Sequence, residues 1–155
     1  MEKKMKDIMT RDPQVISPTC TVQEAAQMMN DQSIGVLPVC DGTKLLGMIT
    51  DRDITTKVVA AGSYPVEVTV QEAMTTPIVY CFEDQDVQEA ARMMESMQIR
   101  RLVVLDRDKK LVGITSLGDI ALKAGQAYLA NEVLTKVSEP GSERPRRGGN
   151  SEHAA

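Results

Sequence analysis

Residues 47–54 read GMITDRDI and residues 113–120 read GITSLGDI. Gly47, Thr50, Asp53 and Ile54 of the first stretch become Gly113, Ser116, Asp119 and Ile120 of the second. The correspondence extends well beyond these eight residues. VQEAAQMM at 22–29 recurs as VQEAARMM at 87–94, and Met9-Thr10 recurs as Met74-Thr75, both 65 residues further on. Solenoids need about three stacked copies to cover their apolar faces. Two copies of a unit this long can instead cover each other about a pseudo-twofold axis, so the 155 residues read as one module made of two halves.

Periodicity orders the elements within each half. Val22, Ala25, Ala26 and Met29 fall at i, i+3, i+4 and i+7, as do Val87, Ala90, Ala91 and Met94. Each set predicts an amphipathic helix. IGVLPVC (34–40) and IRRLVVL (99–105) read as apolar strands, and KLLGMI (44–49) and KLVGIT (110–115) as second strands. Asp41 and Gly42 supply a tight hairpin turn in the first half. DRDKK (106–110) is one residue longer, which moves the repeat offset from 65 to 66 by the glycine. The fold class is therefore α/β (α+β).

Composition excludes several classes. Lys and Arg total 18 against 22 for Asp and Glu, a net charge of −4 without the basic excess of unspecific phosphate-backbone binding, so no nucleic acid is expected. No apolar run approaches a membrane span or a signal-peptide core, so no membrane is expected and the location reads as cytoplasmic. Cys20, Cys40 and Cys81 form no CxxC pair, and their odd count suits reduced thiols. The one histidine, His153, lies in the C-terminal tail, and no metal-ligand set or activated nucleophile is recognisable, so the chain reads as non-catalytic.

The repeated hydroxyl-x-x-aspartate fits two chemistries. Thr50 with Asp53, and Ser116 with Asp119, have the spacing of a helix N-cap with an acidic third residue. The same helix start offers unpaired N–H groups and a positive dipole end, to which a hydroxyl adds a phosphate donor. A carboxylate one turn in can accept both hydroxyls of a ribose, so the site also suits a nucleotide.

The Met-Thr start, the VQEAA helix and the G-x-x-[ST]-x-x-D ending occur together in both halves, from about Lys6 to Asn131. This combination resembles tandem cystathionine β-synthase (CBS) domains, a Bateman module, and in particular the stand-alone bacterial CBS pairs. The resemblance implies β-α-β-β-α repeats and a cleft in which the motif aspartate of one half holds the ribose while the early strand of the other flanks the base. One implied site joins Ser116 and Asp119 to Thr10, Asp12, Pro13, Gln14 and Ile34. The other joins Thr50 and Asp53 to Thr75, Pro77, Ile78, Val79 and Ile99. Arg100 stands where the family's phosphate-contacting cations occur, with Arg101 beside it. Gly35 is the first-half counterpart and carries no cation, leaving Arg52 as a substitute. The implied role is a sensor of AMP, ADP or ATP, with no obligatory cofactor and no metal, working with an unidentified protein target; the apolar faces at Val22 to Met29 and Val87 to Met94, more than one small module needs internally, predict a homodimer with these helices at the interface. S-adenosylmethionine, NAD or a cyclic adenine dinucleotide satisfies the same logic, and a structural adaptor is the alternative outside ligand binding.

The expected boundaries are a first domain at 1–62, a linker at 63–68, a second domain at 69–137 and a disordered tail at 138–155. Thr69-Val70-Gln71-Glu72 has the capping-box pattern for a helix entering the second half. IALKAGQAYLANEVLTKV (120–137) reads as one long closing helix.

Overall fold

The computed structural model describes residues 3–76, 78–123 and 127–139. Helix α1 (Met5–Ile8) leads into strand β1 (Thr10–Arg11), then α2 (Val22–Gln32), β2 (Val36–Asp41), β3 (Lys44–Thr50) and α3 (Asp51–Asp53), which continues as a π-helical stretch over Ile54–Val59. The second half comprises α4 (Val70–Ala73), β4 (Tyr80–Phe82), α5 (Val87–Met97), β5 (Arg101–Leu105), β6 (Leu111–Ser116), α6 (Leu117–Lys123) and α7 (Ala127–Ser138). The α+β class expected from sequence is the one observed.

The two amphipathic helices form where their periodicity places them. Val22, Ala25 and Met29 of α2 are buried, as are Val87, Ala90, Ala91 and Met94 of α5. Thr21 caps α2 through its hydroxyl on the Glu24 amide, and Glu24 reaches back to the Thr21 amide. Both helices end on a left-handed residue, Ser33 at φ 54° and Gln98 at φ 55°. The following amides then close the helix, Ile34 N–H donating to Met29 O and Ile99 N–H to Met94 O, each at 3.0 Å. This corrects the expected strand starts. Ile34 and Ile99 belong to helix terminators, so the strands begin two residues later, at Val36 and Arg101.

Both hairpins form. Gly42 adopts φ +61° in the two-residue turn between Asp41 and Lys44, which pair with each other. In the longer turn the Asp106 carboxylate accepts from the amides of Asp108 and Lys110, both at 2.9 Å, and Lys109 takes φ 62°. A bulge recurs at the same repeat position, Val39/Cys40 and Val104/Leu105.

The halves trade their first helices. Met5, Ile8 and Met9, from the start of the chain, are buried in one core with Cys81, Val87, Met94, Leu102 and Ile120 of the second half. Reciprocally, Val70 and Ala73 are buried with Ile16, Val22, Leu37, Ile49 and Val58 of the first, and Met74 packs against them. The backbone follows the exchange. β1 pairs antiparallel with β6 (Thr10 opposite Ile114) at the end of a sheet ordered β1-β6-β5-β4, while Thr75 bridges Met48 of the separate β2-β3 sheet. Thr75 N–H donates to Met48 O at 2.7 Å and Met48 N–H returns to Thr75 O at 3.2 Å.

The repeated glycines mark these crossings. A Cβ on Gly113 would lie 2.5 Å from Met9 Sδ and 3.0 Å from Thr10 O, and one on Gly47 would lie 2.8 Å from Met74 Sδ and 3.0 Å from Thr75 O. The Met-Thr pair and the motif glycine recur together because each half's Met-Thr lies on the other half's glycine.

Two further expectations are corrected. In the first half the strand preceding α2 is reduced to one parallel bridge, Ile16 with Val39, whereas β4 pairs with β5 over three residues. The expected single helix over 120–137 is two helices, α6 and α7, with α7 packed against α5 and α6 and placing Val133 and Val137 in the core. Residues 124–126 lie outside the described residues, as do the N-terminal pair and the tail from 140, so the disorder expected of that tail falls almost wholly beyond them.

Candidate functional site

Both motif aspartates cap helices. Thr50 Oγ1 accepts from Asp53 N–H at 3.0 Å and Asp53 Oδ2 accepts from Thr50 N–H at 2.9 Å. In the second half the distances are 3.2 Å from Asp119 N–H to Ser116 Oγ and 2.8 Å from Ser116 N–H to Asp119 Oδ2, with the Ser116 hydroxyl also donating to Oδ2 at 3.2 Å. Capping thus engages one carboxylate oxygen in each half. The other faces a lysine one turn on, Lys57 Nζ at 3.1 Å from Asp53 Oδ1 and Lys123 Nζ at 3.1 Å from Asp119 Oδ1. These i,i+4 pairs were readable in the sequence from spacing alone.

The halves diverge beyond this shared frame. Asp53 Oδ1 also accepts a hydrogen bond from the Thr75 hydroxyl at 2.9 Å, across the exchanged strand. Lys57 joins the cluster by donating to Ala73 O at 3.0 Å and Thr75 Oγ1 at 3.2 Å. Asp53 is consequently 8% exposed. At Asp119 the equivalent threonine, Thr10, exposed as Thr75 is, makes no such bond among the described residues and lines a cleft of about 400 Å³.

That cleft lies between the halves. Ser116, Asp119 and Arg101 line it from the second half, and Thr10, Asp12, Pro13, Gln14 and Ile34 from the first. Asp12 takes φ 48° at its edge, a left-handed conformation that aspartate tolerates better than most residues. Ile34 is 37% exposed there because the Ser33 terminator lifts it out of α2 and away from the core. Gln32, Ser33, Gly35 and Val36 also line the cleft. Sequence reading missed them, since neither serine nor glutamine advertises a left-handed terminator as glycine would.

The remaining sequence-derived residues are dispersed. Arg100 does not line the 400 Å³ cleft. It lies with Arg101 on an adjoining depression, its guanidinium 3.5 Å from Ser138 Oγ. Arg100 precedes the first residue of β5, and its carbonyl accepts from Leu117 N–H at 3.2 Å beside the start of α6. At Gly35, the counterpart of Arg100, a Cβ would come within 2.9 Å of Asp51 Oδ2. Asp53, which Thr50 caps, is bonded to the Thr75 hydroxyl, and Ile99 and Val79 pack against the second core. Ile78 lines a different cleft, near the hairpins. Pro77 lies outside the described residues.

The thiols are poor redox candidates. Burial pushes the pKa of Cys81 up to about 12 and raises that of Cys40, while Cys20 is raised by desolvation and by its contact with Glu24. Thiolate, the reactive form, is disfavoured at all three. Among the described residues no three His, Cys, Asp or Glu side chains converge to hold a metal ion, and no helix is long and apolar enough to cross a membrane.

A duplicated α+β unit whose copies trade first helices and enclose a polar cleft between them defines a tandem-repeat cleft module. The family model described as CBS domain matches residues 5–60 and again 70–124, and the chain belongs to that family as a pair of CBS repeats. It is 37% identical over 134 residues to the CBS domain-containing protein YhcV of Bacillus subtilis, covering 86% of this chain and 94% of that protein. The crystal structure of Hypoxic Response Protein I with two coordinated zinc ions is similar at TM-score 0.70 and 38% identity, over 77% of this chain and 97% of that one. That of CBSX2 in complex with AMP is similar at TM-score 0.69 and 26% identity, over 81% and 98%.

Proposed function

We propose that this protein is a non-catalytic regulatory module that binds an adenine nucleotide, AMP, ADP or ATP, in the cleft at Asp119. The carrying observation is the convergence of Ser116, Asp119 and Arg101 from one half with Thr10, Asp12, Pro13, Gln14 and Ile34 from the other around a cleft of about 400 Å³, a volume within the usual range for small-molecule sites. Pro13 and Ile34 offer apolar surface for a base. Asp119 Oδ1, which among the described residues is held by Lys123 alone, can accept ribose hydroxyls while Oδ2 keeps its cap. Arg101 supplies positive charge for phosphate. The AMP complex of CBSX2, a structural relative, supports the same ligand class.

Calorimetric titration of AMP, ADP and ATP into wild type and Asp119→Ala tests the reading. Removing a charge-assisted contact is expected to cost about tenfold to a hundredfold in affinity. Unchanged affinity in a folded Asp119→Ala would return the motif to helix capping alone.

The homodimer belongs to the same proposal, on altered grounds. The α2 and α5 apolar faces that suggested it are buried inside the monomer. Exposed apolar side chains lie instead at Leu122, 86% exposed, and at Met97 and Leu134 on the neighbouring helices. Light scattering is expected to give twice the 17.0 kDa chain mass, and Leu122→Glu to reduce it to the monomer.

A further inference from the structure

A second cleft, of about 520 Å³, lies between the two hairpins. Its floor includes Leu45, Tyr80 and Leu105, and its rim carries Lys44, Lys109 and Lys110. Lys44 and Lys110 are one position of the repeat, opening KLLGMI and KLVGIT. The two motif aspartates, also one repeated position, have separate surroundings, but these two lysines converge on a single cavity. Lys44 sits six residues before Thr50 on β3, which places this cleft about 20 Å along the strand from the motif end.

The charge here is unbalanced. None of the three lysines has an ion pair among the described residues, and Asp108 is the one acid on the lining. The nearby Arg107 differs, since it pairs with Asp84 at 2.8 Å and stacks 4.2 Å from the Phe82 ring centroid. A local cationic rim over an apolar floor, in a chain of net charge −4, matches a small organic anion with a flat or hydrocarbon body. Lysine ammonium groups engage phosphate or carboxylate as point charges, and the floor removes apolar surface from water.

We infer that the hairpin cleft is a second ligand site, independent of the one at Asp119, for a small amphiphilic anion held by Lys44, Lys109 and Lys110 over Leu45, Tyr80 and Leu105. Titration of the full chain with 1-naphthyl phosphate and, in parallel, 1-naphthoate tests it and separates phosphate from carboxylate recognition. Single-site binding is expected, tighter for the dianionic phosphate, weakened by salt, and retained in Asp119→Ala and at saturating AMP. The double substitution Lys44→Gln with Lys110→Gln is expected to lose at least about tenfold in affinity with the melting temperature unchanged, because both side chains are exposed. Absence of binding by either probe overturns the site. So does undiminished affinity in the double variant, or competition by AMP.

Discussion

Asp53 and Asp119 occupy one position of the repeat and cap equivalent helices, with side chains 11% and 15% exposed, yet the first is bonded across the exchanged strand and the second lines the 400 Å³ cleft. The difference lies in the exchanged strand. Thr75 turns its hydroxyl onto Asp53 and joins Lys57 in the cluster, whereas among the described residues Thr10 makes no bond to Asp119, which keeps its cap and Lys123. A duplicated motif can thus serve stability in one half and present a carboxylate in the other.

The sharpest way to break this comparison is to remove each carboxylate. Asp53→Ala strips partners from Thr50, Thr75 and Lys57 and is expected to cost about 2–3 kcal/mol. Asp119→Ala should cost on the order of 1 kcal/mol, the value of a cap. Urea unfolding of both variants decides it, and equal losses would mean that the Thr75 cluster adds nothing.

The glycines sharpen the comparison next. Gly47→Ala and Gly113→Ala each drive a Cβ into backbone of the other half and should each cost about 1–3 kcal/mol through overpacking. Only Gly113→Ala should also weaken nucleotide binding, because relieving the contact displaces Thr10 and the cleft wall. Calorimetry on both would expose a symmetric effect if the asymmetry is wrong.

A smaller effect is expected from Thr75→Val, which deletes the hydroxyl on Asp53 at roughly constant volume. Stability should fall by about 1 kcal/mol, with affinity at the Asp119 cleft unchanged by titration.

The smallest concerns the cores. The Cys81 thiol, at the repeat position of Ile16, is raised by burial from near 9 to about 12. The folded state therefore keeps its proton where the unfolded state loses it. Stability from this group is intact below pH 9 and declines as pH rises from 9 towards 12, with a loss of about 0.4 kcal/mol already at pH 9. Melting curves of wild type and Cys81→Ala across this range should converge as pH rises.

Much of the fold was legible in the residues themselves. Amphipathic period placed α2 and α5, Asp-Gly placed the first turn, and Thr69 with Glu72 placed the start of α4, all through interactions spanning a few residues. The grouping of Ser116 and Asp119 with Thr10, Asp12, Pro13, Gln14 and Ile34 followed from family resemblance. That Arg100 falls on the adjoining depression was not legible, because it lies before β5, whose start follows a left-handed Gln98 with no sequence signature.

The duplication, the helix caps, the i,i+4 lysine pairs and the class of fold were determined by sequence alone, because each rests on spacing along the chain. The exchange of α1 and α4, the placing of Thr75 on Asp53 and the meeting of Lys44 with Lys110 were decided only by tertiary structure. These contacts join residues from 22 to more than 100 positions apart, as in Asp53 with Thr75 and Thr10 with Ile114. Which half's Met-Thr strand lies on which glycine is a matter of packing two apolar faces together, and no local pattern encodes that choice.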